Sequence, residues 1–256
     1  MKAVILAGGK GTRMREETEY RPKPMVEIGG RPILWHIMKH LSAFGITDFV
    51  VAAGYKSEII KDYFLNYEAR NNDFTIRLGR AESLQIHGAH DEAGWTVTVA
   101  DTGDETLTGG RVQRVLPYLS NEPFLVTYGD GLSNVDVSAL VAQHHDQGRL
   151  ATMTLAQPTS RFGIVDLAND GQVTDMREKP QLEDWVNIGY FVFEPGVRTH
   201  LDEASALELE PLKRLIREGQ LGTYKHHGYW QPMDTYKEAE TLKALWDRGR
   251  APWKTW

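Results

Sequence analysis

A glycine-rich, basic loop near the start of the chain has the residue types to bind a polyanion. It reads Gly-Gly-Lys-Gly-Thr-Arg from Gly8 to Arg13 and follows a short apolar run. Glycine lets backbone amides turn toward an anion without a Cβ in the way, and arginine adds donors in fixed directions. The P-loop pattern is absent because glycine follows Lys10, and the dinucleotide fingerprint fails at Met14. Such a loop alone is often a turn, but with its cations it favours a nucleoside triphosphate or a similar polyanion.

Lys23 is a second cation with a fixed starting point. It stands between Pro22 and Pro24, which stiffen the backbone on both sides of it. An exposed lysine is normally only a solvated charge, so the flanking prolines are the local argument that Lys23 has a role.

Two aspartates are candidates for a metal site. Asp130 lies between glycines just after the apolar run Phe124–Tyr128, where a carboxylate faces a cleft with space for a bulky ligand. Mg²⁺ suits such a place because it takes one or two carboxylates, substrate phosphates and waters. The same pattern fits a turn aspartate equally well. Asp234 directly precedes the last predicted helix, and its type and position fit a helix N-cap.

The elements that must position these residues alternate between strand and helix in the first half of the chain. Lys2–Ala7 and Asp48–Ala53 are predicted strands, and helices are predicted from Pro32 and over Ser57–Phe64, the latter with a cap. This alternation predicts a mostly parallel sheet flanked by helices, with ligands beyond the carboxyl ends of its strands. Further strands are predicted at Trp95–Asp101, Phe124–Tyr128, Leu150–Ala156, Phe162–Leu167, Val173–Glu178, Ile188–Phe193 and Leu221–His226, and helices at Gly110–Leu119, Asp136–Gln147, Pro211–Glu218 and Thr235–Trp246.

The domain organisation is predicted as one α/β domain with two halves that share a sheet. Residues 1–135 form a nucleotide-binding half, and residues 136–256 form a strand-rich sugar-phosphate-binding half with a C-terminal tail. Residues 71–110 are polar and interrupt the alternation, so they form a lid, a subunit contact or a surface excursion. Trp253 and Trp256 predict a tail that is tied down on a surface, which a neighbouring subunit could supply.

Composition excludes several functional classes. The 256 residues carry a net charge of −6 with no basic stripe, so no nucleic-acid partner is expected. There are no cysteines, which excludes disulfides and thiolate chemistry and suits a reducing cytoplasm. No apolar stretch approaches the ~20 residues of a membrane helix, so no membrane partner is expected. The nine histidines form no evident metal set, and no hydrolase nucleophile motif occurs.

The motifs together resemble the sugar-phosphate nucleotidylyltransferases. Gly9-Lys-Gly-Thr-Arg13 followed by Pro22-Lys-Pro24 looks like the family signature, and the motifs occur in the family's order over essentially the whole chain. Most members have a pattern like R-x-x-P-x-T between the two parts, whereas this chain has Glu16-Glu17-Thr18. That departure is similar to the glucose-1-phosphate cytidylyltransferases. Five further segments of the chain also resemble that subgroup: Tyr20–Gly30, Thr108-Gly-Gly-Arg111, Tyr128–Gly131, Gly228–Thr235 and Ala251–Trp256.

The resemblance implies a role for each matching residue. Lys23, Arg13 and Asp130 would be catalytic, and Mg²⁺ would be the cofactor, held by Asp130 and Asp234. The nucleotide would contact Leu6, Ala7, Gly8, Gly9, Lys10, Gly11, Thr12, Arg13, Lys23, Thr106, Arg111 and Gly129. The sugar phosphate would contact Gly163, Glu178, Lys179, Asn187 and Gly189. For Arg111, a structural charge near a helix start and contact with a neighbouring subunit's site remain alternatives.

The reaction implied is transfer of a cytidylyl group from CTP to α-D-glucose 1-phosphate, with Mg²⁺ assistance. UTP or dTTP is the alternative within the family. A nucleotide-sugar sensor would be favoured by loss of Lys23, Asp130 or Asp234, which are all present. A glycosyltransferase would usually carry Asp-x-Asp, where this chain has Gly129-Asp130-Gly131. The family also implies a homo-oligomer, with a hexamer as one form, and a downstream pathway to surface polysaccharide.

Overall fold

A computed structural model describes residues 1–79 and 83–256 as an α/β protein. The strands are β1 (Lys2–Ala7), β2 (Glu27–Ile28), β3 (Arg31–Pro32), β4 (Asp48–Ala53), β5 (Asp73–Thr75), β6 (Gln85–His87), β7 (Thr96–Asp101), β8 (Phe124–Tyr128), β9 (Gly131–Ser133), β10 (Ala151–Ala156), β11 (Ile164–Leu167), β12 (Val173–Arg177), β13 (Val186–Phe193), β14 (Leu221–His226) and β15 (Trp230–Pro232). The helices are α1 (Arg15–Thr18), α2 (Ile33–Ser42), α3 (Ser57–Leu65), α4 (Tyr67–Asn71), α5 (Thr108–Val115), α6 (Val137–Gln147), α7 (Glu210–Arg217) and α8 (Tyr236–Asp247).

A seven-stranded sheet forms the centre of the molecule. Its strand order is β14-β10-β13-β8-β1-β4-β7. Strand β13 runs antiparallel to both of its neighbours, β8 and β10, and every other pairing in the sheet is parallel. The predicted mostly parallel mixed sheet with flanking helices is therefore confirmed. The assignment of nucleotide and sugar functions to the two halves stays a prediction.

Alternating side chains of the central strands supply two cores, one on each face of the sheet. Ala3 and Ile5 of β1 belong to the core that also contains α2, α6, α8 and the C-terminal tail. Val4 and Leu6 belong to the opposite core, which packs against α5 and α7. Because β1 is covered on both faces, its sequence is a continuous apolar run.

Most predicted elements lie within two residues of the observed bounds, but the starts of two helices differ from the prediction. Ser57 does not cap α3: the N-cap is Lys56, in the left-handed region at φ 53, and no side chain caps this helix. The Ser57 hydroxyl instead donates to Asp101 Oδ2 at 2.8 Å. Pro32 likewise lies just before α2 rather than inside its first turn.

The predicted interruption at residues 71–110 contains three residues, 80–82, that lie outside the described part. Its first part holds the exposed hairpin β5/β6. Its second part belongs to the central sheet, because β7 pairs in parallel with β4 over six residues. The turn after β7 then leads into α5, so this part of the segment lies at the same end of the sheet as the glycine-rich loop after β1.

The C-terminal tail packs on its own chain. Trp253 is fully buried, stacks on Tyr229 and Trp246, and contacts the ring of His36 on α2. The His40 ring accepts or donates a hydrogen bond at Thr255 (2.9 Å). The surface that holds the tail is thus supplied by α2 and α8. No helix among the described residues is long and apolar enough to cross a membrane.

Candidate active site

A cavity of about 660 Å³ opens beyond the carboxyl ends of β1, β8 and β7. This is the edge of the sheet where the predicted phosphate loop follows β1. The cavity is lined by Leu6, Ala7, Gly8, Gly9, Lys10, Gly11, Thr12, Arg13, Lys23, Pro24, Asp104, Glu105, Thr106, Leu107, Thr108, Arg111, Tyr128, Asp130, Ala206, Glu208 and Asp234. Apart from Gly129, every residue that the resemblance assigns to the nucleotide lies in this lining. Gly129 adjoins it, since its N–H donates to Leu6 O at 2.9 Å.

The glycine loop is shaped by Thr18, the last residue of the departure from the family pattern. Gly11 adopts φ +59, which favours glycine. The buried Thr18 hydroxyl donates to Gly11 O and Met14 O at 3.1 and 3.0 Å. A Cβ on Gly11 would meet the Thr18 methyl group at 2.7 Å. Thr18 therefore holds the loop in place through its hydroxyl group and requires glycine at position 11 through its methyl group.

Arg111 holds the ends of three strands together. Its side chain is buried and its guanidinium donates to Ala53 O, Gly103 O and Gly8 O at 3.2, 2.9 and 3.0 Å, and also to the Thr102 hydroxyl. Burial lowers the pKa of Arg111 from its ordinary value. Because its donors are occupied by the protein, Arg111 shapes the wall of the cavity from within. This observation supports the structural alternative left open by the sequence.

The Arg111 side chain leaves no space for a side chain at position 8. A Cβ on Gly8 would collide with the Arg111 guanidinium, and the same is true of Gly54 after β4. By contrast, nothing lies within 4 Å of a Cβ on Gly9. Glycine at position 8 thus makes room for a buried cation directly under the loop.

Lys23, Asp130 and Asp234 form one ionic cluster at the cavity floor. Lys23 Nζ donates to Asp130 Oδ2 and Asp234 Oδ1, both at 2.7 Å. Arg13 donates to the other oxygen of Asp234 at 2.7 Å. Lys23 is 8% exposed and lies in a 3₁₀ turn (Lys23–Met25) that Pro22 precedes in an extended conformation. The prolines do fix where the lysine side chain begins.

A small hairpin brings together two aspartates that are far apart in sequence. Strand β9 follows Asp130, β15 precedes Asp234, and the two strands pair antiparallel. The Met233 N–H then donates to Asp130 O at 2.8 Å. The two carboxylates consequently face the same ammonium group.

The N-cap interpretation of Asp234 is wrong, because Thr235 caps α8. The Thr235 hydroxyl accepts from Glu238 N, and Glu238 Oε2 accepts from Thr235 N and Asp234 N at 2.9 and 2.7 Å. This capping box satisfies the helix end and leaves the Asp234 carboxylate free for the cavity. Burial by itself would raise the pKa of Asp234, but the hydrogen bond and charge of Lys23, with Arg13 beyond it, hold that pKa below its ordinary value.

The donor set of this cluster fits a hard divalent cation. Asp130 and Asp234 offer carboxylate oxygens that already converge on one positive charge. In the described part of the chain, no group of three or more His, Cys, Asp and Glu side chains comes together as a metal site. Two carboxylates with room for phosphates suit a cation that takes its remaining ligands from substrate and water.

The predicted sugar-phosphate residues lie outside the cavity lining. Gly163 precedes β11 and Glu178 follows β12, so both stand at the open end of the exposed hairpin that these strands form. Lys179 Nζ pairs with Glu178 at 3.3 Å. Gly189 lies in β13, and a Cβ there would collide with the ring of Tyr128. Gly189 therefore packs against Tyr128, which lines the cavity, and has no open space above it for a ligand.

Several cavity residues carried little signal in the sequence. Glu105 and Arg114, which the sequence did not single out, are the partners of the predicted residues Lys10 and Thr106. Tyr128 and Thr108 stand inside the quoted motifs, yet only the structure shows that both donate to Glu208. Ala206 and Glu208 belong to an irregular loop before α7, where no periodicity or motif indicated a role.

Comparisons with known proteins agree with this geometry. Residues 2–235 match the model of the nucleotidyl transferase family. The glucose-1-phosphate cytidylyltransferase of Salmonella typhimurium is 48% identical over 259 residues, covering all of both chains. A probable glucose-1-phosphate cytidylyltransferase of Bacillus subtilis is 42% identical, again over the full length of both.

The fold also recurs among solved structures. HddC from Yersinia pseudotuberculosis superimposes with a TM-score of 0.71 at 20% identity, covering 96% of this chain and 99% of that one. At this identity the likeness concerns the fold alone. With a family model that matches nearly the whole chain and full-length relatives above 40% identity, the chain belongs to the nucleotidyl transferase family.

Proposed function

We propose that this nucleotidyltransferase transfers the cytidylyl group of CTP to α-D-glucose 1-phosphate, giving CDP-glucose and pyrophosphate. The observation that carries the proposal is the Lys23–Asp130–Asp234 cluster beside the glycine loop, in a chain 48% identical to a glucose-1-phosphate cytidylyltransferase. The cluster places an ammonium group and two carboxylates at the floor of a cavity large enough for a nucleotide.

The chemistry is an in-line displacement at phosphorus. A phosphate oxygen of the sugar phosphate attacks the α-phosphorus of CTP, the new P–O bond forms, and the bond to the β-phosphate oxygen breaks as pyrophosphate leaves. The attacking oxygen is already an anion, so no general base is needed. The main task of the protein is to hold two polyanions in contact and offset their repulsion.

Residues at the cavity floor would do this work. Arg13 and Lys23 would donate to the triphosphate, where negative charge is concentrated, together with the amides of Gly8–Thr12. Buried Arg111 beneath Gly8 adds positive potential to the cavity, while its own N–H groups donate to backbone carbonyls rather than to the ligand. Placed charges in a site that excludes water stabilise a transition state more strongly than the same charges in solvent.

The divalent cation of this family is assigned here to Mg²⁺, held by Asp130 and Asp234. Two carboxylate oxygens plus phosphates and waters are the ligands that Mg²⁺ prefers. When bound, Mg²⁺ would offset the charge of the phosphates and orient them. Arg13 would keep Asp234 in position through its second oxygen.

The sugar phosphate would bind on the side of β11, β12 and β13. We assign its phosphate to Lys179 and its hydroxyls to Glu178, with Gly163 leaving room for the ring. Asn187 and Gly189, which both belong to β13, would lie on the same side. Lys179 adopts φ +47, an unfavourable backbone for a side chain other than glycine or asparagine, which is common at functional positions.

Assembly and location are part of the same proposal. The exposed apolar side chains of the two outlying hairpins, such as Phe74, Leu78, Leu167 and Met176, favour contact between copies in a homo-oligomer. The absence of cysteine supports a reducing compartment, and we assign the enzyme to the cytoplasm.

The direct test is product identification. Incubation with CTP, glucose 1-phosphate and Mg²⁺ should give CDP-glucose by mass spectrometry and one pyrophosphate per nucleotide sugar. Glucose 6-phosphate should give no product, and chelation should stop a reaction that added Mg²⁺ restores. Failure to form a nucleotide sugar from CTP under these conditions would contradict the proposal.

A further inference from the structure

Glu208 is a carboxylate without a cation in a cavity built for polyanions. It is half buried and lines the same cavity as the glycine loop and Lys23. Asp130 and Asp234 share the ammonium of Lys23, whereas no basic nitrogen of the described residues lies within 4 Å of the Glu208 carboxylate. An uncompensated negative charge here opposes the binding of a triphosphate. Its presence is explained if it contacts a part of the ligand that donates hydrogen bonds.

Two hydroxyl groups fix the orientation of this carboxylate. The Tyr128 hydroxyl donates to Oε1, and the Thr108 hydroxyl donates to Oε2 at 2.7 Å. Burial and the neighbouring charge of Glu208 raise the pKa of Tyr128, so its phenol stays a donor. An ionised carboxylate has about four acceptor positions, of which these hydroxyls use two. The remaining positions are available to a ligand.

The Thr108-Gly-Gly-Arg111 motif holds the loop that carries Glu208. A Cβ on Gly109 would meet Ser205 O at 2.7 Å, and a Cβ on Gly110 would collide with Glu203 O. The Gly109 N–H donates to Ser205 O at 3.1 Å, and the Leu207 N–H donates to the Thr108 hydroxyl at 2.8 Å. The first three residues of the motif thus seat the 203–208 loop against the start of α5.

Glu208 is bonded to the element that the resemblance assigns to the nucleotide, since Thr108 of the Thr108-Gly-Gly-Arg111 motif donates to it. The cavity lining that contains it also contains Thr106, Thr108 and Arg111, but none of the residues assigned to the sugar phosphate. On the basis of the proposed function, we propose that Glu208 accepts a hydrogen bond from the exocyclic amine of cytosine and thereby selects cytidine over uridine nucleotides. Uracil has a carbonyl oxygen at this place, whose lone pairs the carboxylate would repel.

The test compares CTP with UTP in the Glu208→Gln variant. Glutamine has the same shape, but its amide can turn its NH₂ toward a carbonyl, so the preference for an amine is lost. We expect the ratio of kcat/KM for CTP to that for UTP to fall by about 10- to 100-fold, the usual scale for one charge-assisted hydrogen bond. Glu203→Gln, which removes a charge from the exposed part of the same loop, should leave the ratio unchanged.

The outcomes separate this inference from the proposed function. A wild-type preference for CTP that Glu208→Gln retains in full overturns only the role of Glu208. Equal losses with CTP and UTP also overturn it; if 2′-deoxy-CTP escapes that loss, the carboxylate contacts the ribose instead. Absence of a wild-type preference for CTP contradicts both. Should Glu208→Gln fail to fold, Tyr128→Phe should still reduce the ratio, by a smaller factor, since it removes one group that orients the carboxylate.

Discussion

Lys23 is the residue on which the charges of the candidate active site converge. Its ammonium contacts both Asp130 and Asp234 at 2.7 Å and is almost completely buried. We expect Lys23→Ala to lower kcat by at least about 100-fold, the usual scale for one preorganised electrostatic contact. Initial rates of pyrophosphate release measure this. Lys243→Ala, at an exposed pair on α8, should stay near wild type, and a Lys23 variant within a few-fold of wild type would remove Lys23 from the mechanism.

Two neighbouring glycines should respond differently to the same substitution. Gly8→Ala places a methyl group into the Arg111 guanidinium, whereas Gly9→Ala meets nothing within 4 Å. Overpacking of this kind costs about 1–3 kcal/mol, so Gly8→Ala should lower the free energy of unfolding by this amount and weaken nucleotide binding. Gly9→Ala should change the free energy of unfolding by less than about 1 kcal/mol. Denaturant titrations of both variants give the comparison, and equal stability of the two would contradict the role assigned to Gly8.

Residue types in the sequence were enough to nominate Lys23, Asp130 and the glycine loop, but not to find their partners. Asp130 and Asp234 are 104 positions apart, and only the pairing of the short strands β9 and β15 brings them together. Strands of three residues show no usable periodicity. Glu208 lies in an irregular loop, so no local pattern pointed to it.

At the scale of elements, the capping box at the start of α8 affects the candidate active site through the neighbouring Asp234. Thr235 forms the capping box of α8 and leaves the preceding Asp234 free to face Lys23. Thr235→Ala should cost about 1 kcal/mol of stability, as is typical for a lost N-cap. It should also lower kcat, because Asp234 loses its fixed position.

The matched control for this substitution is Thr241→Ala, which removes an exposed hydroxyl bond to Lys237 O from the middle of the same helix. It should leave kcat unchanged. Full activity in Thr235→Ala would show that Asp234 is held by Lys23 and Arg13 without help from the cap.

The longer elements could be predicted because their apolar runs end at glycine or polar residues. Strands β1, β4, β8 and β14 have the predicted bounds, since each is buried on at least one face and reads as a distinct segment. The place of β7 at the sheet edge could not be predicted in the same way. Its pairing with β4 depends on the course of the chain between residues 71 and 95, which composition does not determine.

At the scale of the whole molecule, buried histidines should make stability depend on pH. Burial lowers the pKa of His36 and of His40 to about 4 in the folded protein. In the unfolded chain these rings take up protons near pH 6.5. Between these values the unfolded state binds more protons, so stability rises with pH from about 4 to 6.5 and is lost as the pH falls through this window.

Urea midpoints at pH 7, 6, 5 and 4.5 should therefore fall steadily. Each ring contributes about 3 kcal/mol across the full window. Replacement of His40 by Gln should make the decline shallower. A midpoint that stays constant from pH 7 to pH 5 would contradict the buried, neutral state of these rings.

Pyrophosphate release with five nucleotides tests the central claim most directly. Glucose 1-phosphate and Mg²⁺ are supplied with CTP, UTP, dTTP, ATP or GTP at equal concentrations, and initial rates are compared. The account predicts release with CTP well ahead of the other four. Equal or faster release with UTP or dTTP would contradict the cytidylyl assignment, and no release with any nucleotide would contradict the proposed reaction itself.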